Sequence, residues 1–152
     1  MDVTVVSEHD DLAALVDAIN DADWDHANDI SDYSVNVLRQ YLQLERTLFV
    51  VCYEHSDSES HLLGIASGRL QPKPYSNEPW LYVDEVDVCV GHRRRGVGTR
   101  IMQEFLAIAR SQGCDELWVA TEADNVSANA MYRSLSPDEV LSVVGYTFAT
   151  AP

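Results

Sequence analysis

Apolar residues recur at strand and helix spacing along most of the chain, and their order predicts a mixed α/β fold. A β-branched run, Val3 to Val6, precedes apolar positions at helical spacing from Leu12 to Ile19. After a turn-prone stretch rich in Asp and Asn, Asp21 to Tyr33, helical spacing resumes over Val35 to Leu42. The first part of the chain therefore predicts a strand followed by two helices.

The middle of the chain carries the pattern of three strands. Thr47 to Tyr53 is a continuous apolar run, and a polar segment separates it from Leu62 to Leu70, as in a hairpin. Three prolines then break the pattern between residues 72 and 80, where we expect a loop with exposed aromatic residues. The third strand follows from Leu81 to Val90.

Helical and strand patterns alternate in the last third of the chain. A helix is predicted from Gly96 to a stop at Gly113, a strand over Glu116 to Ala120, and a second helix over Val126 to Leu135. Val140 to Phe148 has the pattern of a final apolar strand. The whole order, βααβββαβαβ, predicts one domain over residues 1–152, with a mixed central β-sheet flanked by helices.

Composition narrows the classes of function. The chain of 152 residues has a formal net charge of -15, which repels nucleic acid and attracts cations, so a cationic partner is plausible and a nucleic acid is not expected. An acidic excess that serves only solubility is the alternative. No apolar run is long enough to span a membrane, and residues 1–4 lack the pattern of a secretory signal, so we expect a cytoplasmic protein. The three cysteines and five histidines lack metal-ligand spacing, so no metal is expected.

Four of the ten basic residues lie in or just after one turn, between the third predicted strand and the following helix: Arg93, Arg94, Arg95 and Arg100. Glycines at 91, 96 and 98 let the backbone approach a ligand, and free N–H groups at a helix start bind phosphate oxygens. A pyrophosphate ligand is therefore favoured. Neither a dinucleotide-binding fingerprint nor a Walker loop fits, because Ile101 replaces the third glycine and no Gly-Lys-Ser/Thr follows. A plain helix start with solvated arginines is the alternative.

Two motifs make the chain resemble a known family. Arg93-x-x-Gly96-x-Gly98 is similar to the Arg/Gln-x-x-Gly-x-Gly/Ala motif of the GCN5-related N-acetyltransferases (GNAT), and Asn125-x-x-Ala128-x-x-Met131-Tyr132 resembles their Asn-x-x-Ala-x-x-Leu-Tyr helix. Ser134 to Pro137 replaces the usual Gly-Phe. The resemblance implies acetyl-CoA as cosubstrate, with no metal. The implied cofactor-binding residues are Val88, Val90, Arg93, Arg94, Arg95, Gly96, Val97, Gly98, Thr99, Asn125, Ala128 and Tyr132.

The chemistry expected of such a family requires a base, because an alkyl amine is mostly protonated near neutrality. Strand alternation predicts that Glu85 and Asp87 share one face with Val83 and Cys89, while Asp84, Val86 and Val88 share the other. Solvated charge on an exposed strand is the alternative for the three carboxylates. Glu85 aligns with an acidic residue of the aminoglycoside enzymes of the family, so it is the first choice as base, and Asp87 is the second.

The resemblance further implies that backbone N–H groups at Val88 and Val90 polarise the thioester carbonyl and that the Tyr132 hydroxyl protonates the leaving thiolate. Core packing is the structural alternative for Tyr132. Cys89 as an acyl-carrying nucleophile is disfavoured, because no histidine lies at a triad spacing and the family transfers the acetyl group directly.

The closest likeness within the family is to the gentamicin-type aminoglycoside 3-N-acetyltransferases. It predicts an amine of an aminoglycoside as acceptor, an activity that confers antibiotic resistance. Other acceptors are a polyamine, a basic peptide or a protein amino terminus, and a sensor that binds acetyl-CoA without turnover is the alternative from another class. A homodimer is compatible with the sequence. The expected acceptor contacts are Asp84, Glu85, Glu122, Asp124 and Glu139. An acidic loop is a further candidate contact, with disorder or a role in solubility alone as the alternative: Asp21, Asp23, Asp25, Asp29 and Asp32.

Overall fold

The computed structural model describes residues 1–25, 30–56 and 60–150. The chain forms two compact units, Met1–Val119 and Ala120–Pro152. Asp29, an expected member of the acidic loop, lies outside the described residues.

The first unit contains all five strands in the described part of the chain. Its elements are β1 (Asp2–Val5), α1 (Leu12–Asn20), α2 (Val35–Gln43), β2 (Thr47–His55), β3 (Ser60–Lys73), β4 (Ser76–Val88), a one-turn 3-10 helix (Val90–His92), α3 (Val97–Ser111) and β5 (Glu116–Val119). The sheet has the order β1-β2-β3-β4-β5; its first three pairings are antiparallel and β4–β5 is parallel. The predicted mixed α/β sheet is confirmed.

The sheet is covered on both faces. On one face, the side chains of Phe49, Val51 and Ile65 form a buried cluster with the apolar stripes of α1 and α2. On the other face, a Cβ atom added to Gly64 would lie 3.1 and 3.2 Å from Val97 and Ile101 of α3. Helix α3 therefore packs closely on β3, and burial of its apolar side chains contributes roughly 1.5–3 kcal/mol each.

The predicted proline loop is wrong. β3 continues beyond residue 70 and β4 begins before residue 81, so that the two strands pair as far as Lys73 opposite Ser76. The register shifts between Gln71 and Lys73, where Pro72 and Pro79 fall, and a proline is tolerated in a strand at such an irregularity because the ladder does not need its missing N–H there. The hairpin is consequently longer than predicted.

The second unit contains α4 (Val126–Ser134) as its regular element. The predicted final strand, Val140 to Phe148, is wrong: this segment forms no strand in the structure, and its large apolar side chains are exposed, with Phe148 at 81%. A strand pattern forms a strand only where another backbone offers hydrogen bonds, and none of the described strands pairs with this segment. None of the described helices is both long and apolar enough to cross a membrane.

Candidate active site

A β-bulge in β4 determines which carboxylates share a face. Ser67 lies opposite Glu85 and Gly68 lies opposite Val83, so Asp84 is an extra residue on β4. Because of this insertion, Glu85 and Asp87 lie on the face of Ser67 and Ile65, which α1 and α2 cover. The insertion interrupts the simple alternation on which the predicted faces rested.

The predicted faces of β4 are therefore partly wrong. Val83, opposite Gly68, lies on the α3 face and not with Glu85 and Asp87. Asp84 makes an ion pair with Arg69, whose position on β3 is on the same face as Ser67. The structure thus brings Asp84, Glu85 and Asp87 together on one face, where simple alternation would separate Asp84 from the other two.

The environment of Glu85 suits a general base. Burial of the carboxyl group is the largest cause that raises the pKa of Glu85 above its ordinary value. The carboxylates of Asp87 and Asp84 raise this pKa further. The residue nevertheless remains exposed to solvent on part of its surface. A solvent-accessible carboxylate with a raised pKa binds a proton more readily, and this is the property that a base acting on an ammonium group needs.

Tyr33 lies on the same side of the sheet as the carboxylates. Its ring is 5.9 Å from that of Phe49, and the side chain of Asn20 holds its backbone through two hydrogen bonds, of 2.9 Å from the Tyr33 N–H and 3.0 Å to the Tyr33 carbonyl. Burial, followed by the charges of Glu85 and Asp87, raises the pKa of Tyr33 to about 12. Its hydroxyl therefore stays protonated near neutrality and faces the carboxylates as a neutral group.

The turn between β4 and α3 has the geometry of an anion site. Arg94 and Gly96 both adopt left-handed backbone conformations, with φ of 62° and 82°. Helix α3 has no side chain capping its start. Within the described part of the chain, the six N–H groups from Arg94 to Thr99 make no hydrogen bond of good geometry to a protein acceptor. A row of free N–H groups at the start of a 15-residue helix matches the oxygens of a pyrophosphate.

Two of the arginines in this turn form ion pairs with carboxylates of the chain. Arg93 donates to Asp25 at 2.7 Å, and Arg95 donates to Glu54 at 3.0 and 3.2 Å. Among the described residues Arg94 makes no ion pair or hydrogen bond, and it is exposed. Sequence reasoning missed both carboxylate partners, because they lie 68 and 41 residues away and no local pattern connects them.

The two expected carbonyl-polarising N–H groups differ in their surroundings. The N–H of Cys89 donates to Leu63 on β3, at 3.0 Å, and antiparallel strands bond at alternate residues, so Val88 directs its N–H away from β3. On that side β5 pairs only with Trp80 to Val83. The N–H of Val90 instead donates to the carbonyl of Asp23 at 2.8 Å.

Cys89 has the properties of a buried structural thiol. It is 4% exposed, and its Sγ donates to the Leu62 carbonyl at 3.4 Å. Burial raises the pKa of this thiol to about 11. A thiol held in the protonated form is a poor nucleophile near neutrality, so Cys89 is poorly suited to carry an acyl group.

The second unit holds the other expected site residues. The side chain of Asn125 caps α4 by accepting from the Ala128 N–H at 3.0 Å, so this conspicuous asparagine serves the helix start. Tyr132, on the same helix, is partly buried. The carbonyl of Glu122 accepts from the Asn129 side chain at 2.9 Å. Three expected acceptor contacts are exposed: Glu122, Asp124 and Glu139.

Comparison with known proteins identifies relatives among acetyltransferases. The family model described as "Acetyltransferase (GNAT) family" matches residues 15–136. Human N-acetyltransferase 8 is 29% identical over 84 residues, which cover 55% of this chain and 37% of that protein. Mouse N-acetyltransferase family 8 member 3 is 25% identical over 115 residues, or 76% of this chain and 47% of that protein. The chain thus spans less than half the length of these curated relatives.

Solved structures share the fold over almost the whole chain. An aminoglycoside acetyltransferase from an uncultured soil metagenomic sample, solved in complex with sisomicin, has a TM-score of 0.80 at 17% identity and covers 99% of this chain and 96% of its own. AAC(6')-Iy, solved with the bisubstrate analog CoA-S-monomethyl-acetylneamine, has a TM-score of 0.72 at 16% identity, with 97% of each chain covered. At these identities the likeness shows the fold.

Proposed function

This chain belongs to the acetyltransferase (GNAT) family, and from that premise we propose that it is an acetyl-CoA-dependent N-acetyltransferase acting on a primary amine of a cationic small molecule. One observation carries the proposal. A carboxylate with a raised pKa, Glu85, and a row of N–H groups, from Arg94 to Thr99, that lack a well-formed bond to any described residue lie on one continuous strand-turn-helix segment. A proton acceptor and a phosphate site in this arrangement suit acetyl transfer to an amine.

The residues of the turn fit the pyrophosphate of coenzyme A. The backbone at Gly96 lies in the left-handed region, and a Cβ added there would meet nothing within 4 Å, so the turn is open. Arg94 is positioned to donate a charge-assisted hydrogen bond to a phosphate oxygen, in addition to the bonds that the backbone N–H groups donate. Acetyl-CoA, when bound, supplies the acetyl group as an activated thioester. Val88, which no described strand pairs on that side, offers an N–H to polarise the thioester carbonyl, whereas the Val90 N–H must first leave the Asp23 carbonyl.

Two side chains move protons in the proposed mechanism. Glu85 accepts a proton from the acceptor ammonium group, through a water, so that the neutral amine can attack. Tyr132 donates its hydroxyl proton to the leaving thiolate, and the tyrosinate is reprotonated by the proton that the newly acetylated nitrogen releases. We assign Asp84 to binding of the cationic acceptor beside Glu85, and Asp87 to raising the pKa of Glu85, with Asp87 also the second candidate for the base.

We propose an aminoglycoside as the acceptor and its 3-amino group as the position acetylated. The support is the net charge of -15, the exposed carboxylates Glu122, Asp124 and Glu139, and the likeness of Glu85 and its surroundings to the 3-N enzymes. Structural neighbours described as aminoglycoside acetyltransferases support the substrate class, and a neighbour of the 6'-N type makes the 6'-amine the main competing position.

A panel of acceptors tests this proposal. Purified protein, acetyl-CoA and a reagent for free thiols are combined with gentamicin, a 6'-amino aminoglycoside, a polyamine or a basic peptide. We expect thiol release with gentamicin and an acetyl group on its 3-amino nitrogen by NMR. Transfer to peptides or polyamines alone would overturn the aminoglycoside assignment and keep the acetyltransferase. Binding of acetyl-CoA without transfer to any acceptor would favour a sensor.

A further inference from the structure

The bulge at Asp84 is the feature that turns Glu85 toward Tyr33, and one side chain holds it. We propose that Arg69 is a positioning residue for Glu85: it fixes the bulged residue Asp84 and so keeps the Glu85 carboxyl on the face of Tyr33 and Tyr41. The proposal rests on the proposed role of Glu85 as base. Neither the sequence motifs nor the resemblance to the family assigns a role to Arg69.

Arg69 contacts β4 on both sides of Val83. Its Nη1 donates to Oδ1 of Asp84, the extra residue of the bulge. Its guanidinium also lies over the ring of Tyr82, 5.3 Å from the centroid. A planar guanidinium can make the ion pair and the stacking contact together, whereas an ammonium group makes a point contact. The Arg69 side chain therefore links β3 to both Tyr82 and Asp84, the two residues of β4 that flank Val83.

The backbone opposite the bulge is fixed as well. The Tyr41 hydroxyl lies 3.0 Å from the Gly68 carbonyl and 3.2 Å from the Leu48 carbonyl, so it ties α2 to β2 and β3 beside the bulge. A Cβ added at Gly68 would lie 2.7 Å from the Tyr82 carbonyl and 3.0 Å from Phe105. The β3 backbone at Gly68 is therefore enclosed by Tyr41, Tyr82 and Phe105. We infer that the bulge on β4 is held by contacts of its own residues, and the ion pair of Asp84 with Arg69 is the charged contact among them.

Arg69 also acts on the charge around Glu85, through Asp84. The titratable groups that interact with Glu85 are Asp84 and Asp87 on its own strand and Tyr33 just before α2; Arg69 on β3 and Tyr41 on α2 interact with Asp84. Arg69 is the cation of this set, and its partner Asp84 is one of the carboxylates that raise the pKa of Glu85. Loss of Arg69 would leave the Asp84 charge unbalanced and the bulge unanchored, two effects that can be measured separately.

The test follows the Glu85 carboxyl directly. The carbon NMR resonance of this carboxyl, assigned by its loss in Glu85→Gln, is titrated in the free enzyme, and kcat and kcat/KM are measured against pH. In Arg69→Gln we expect the Glu85 pKa and the acid limb of kcat/KM to rise by about half a unit, because the Asp84 carboxylate, which raises the pKa of Glu85, then lacks its partner cation. We expect kcat to fall roughly ten- to hundredfold through misplacement of the base.

Two further variants separate charge from position. Arg69→Lys keeps the charge but loses the planar contact with Tyr82, so the acid limb should stay in place while kcat falls. If Arg69→Gln does not fold, the double variant described next, which leaves no unpaired carboxylate at position 84, takes its place. In Arg69→Gln combined with Asp84→Asn, the Glu85 pKa should return to the wild-type value or below, with kcat still reduced. The matched control is Arg110→Gln, which removes an exposed arginine at the end of α3 on the opposite face.

A fall in kcat without any movement of the Glu85 pKa in Arg69→Gln would reduce Arg69 to a structural residue and overturn the proposal. So would full activity in both Arg69 variants. The proposed function fails by a different result, since full activity of Glu85→Gln removes Glu85 as base whatever its carboxyl titration shows.

Discussion

Nη1 of Arg93 lies 2.7 Å from Oδ2 of Asp25, so a carboxylate of the chain itself holds an arginine of the proposed pyrophosphate site. The same short segment supplies the Asp23 carbonyl that accepts from Val90. Residues 23–25 thus bind two groups that the proposed function assigns to acetyl-CoA. Coenzyme A must compete with these internal contacts.

Removal of the internal competitor should tighten cofactor binding. In Asp25→Asn the Arg93 ion pair is lost, and since a partly exposed pair contributes at most about 1 kcal/mol, we expect coenzyme A to bind roughly two- to fivefold more tightly. Isothermal titration calorimetry measures the change. Asp17→Asn, an exposed residue of α1 with the same change of charge, is the control. An equal gain in both variants would mean that net charge, and not the Asp25 contact, limits binding.

Gly96 and Gly113 form a matched pair for testing the phosphate site. Both have a positive φ, of 82° and 65°, and a Cβ added at either would meet nothing within 4 Å. Gly96→Val and Gly113→Val should therefore lose similar stability, about 1–2 kcal/mol each from the left-handed backbone. Calorimetry should show coenzyme A affinity largely lost in Gly96→Val and retained in Gly113→Val. Equal affinity in both variants would remove the turn from the cofactor site.

The fall of kcat/KM at low pH, its acid limb, reports the pKa of Glu85 and so the effect of the carboxylates of Asp84 and Asp87. The Asp87 carboxylate raises the pKa of Glu85, so its neutralisation in Asp87→Asn should lower that pKa. The base is then unprotonated at lower pH, and the acid limb of kcat/KM should move down by about half a unit to one unit. Asp138→Asn is the control at an exposed position. An inactive Asp87→Asn beside a fully active Glu85→Gln would make Asp87 the base.

Loss of either proton-transfer group should slow turnover without weakening cofactor binding. Glu85→Gln and Tyr132→Phe should each lower kcat by roughly 10² to 10⁴ if proton transfer limits the rate. Steady-state kinetics and the Kd for acetyl-CoA are measured together, with Tyr75→Phe, an exposed tyrosine, as the control. Unchanged kcat in Tyr132→Phe would leave Tyr132 with a packing role on α4.

Most of the fold could be predicted because local patterns determine it. The helix around Ile101 and Phe105 follows from apolar spacing, and the cap at Asn125 follows from the preference of helix starts for such residues. The prolines at 72 and 79 misled the prediction because a register irregularity can accommodate them, and only the pairing of two strands reveals one. Val140 to Phe148 has a strand pattern, but a pattern supplies no pairing partner.

The residues of the candidate site could be proposed from the sequence, but their geometry could not be predicted. Alternation assigns faces only while the ladder is regular, so a single inserted residue, Asp84, was enough to move Glu85 away from Val83. Arg69 had no signal of its own, because its role depends on lying across from that insertion. The partners of Arg93 and Arg95 are distant in sequence, so nothing local could reveal that these arginines are paired.

Thiol release from acetyl-CoA with gentamicin as acceptor, compared between the wild type and Glu85→Gln, tests amine acetylation most directly. We expect rapid release by the wild type, one acetyl group on the 3-amino nitrogen of the product, and a rate roughly 10² to 10⁴ times lower in Glu85→Gln. If the wild type binds acetyl-CoA but releases no thiol with gentamicin, other aminoglycosides, polyamines or peptides, amine acetylation is contradicted.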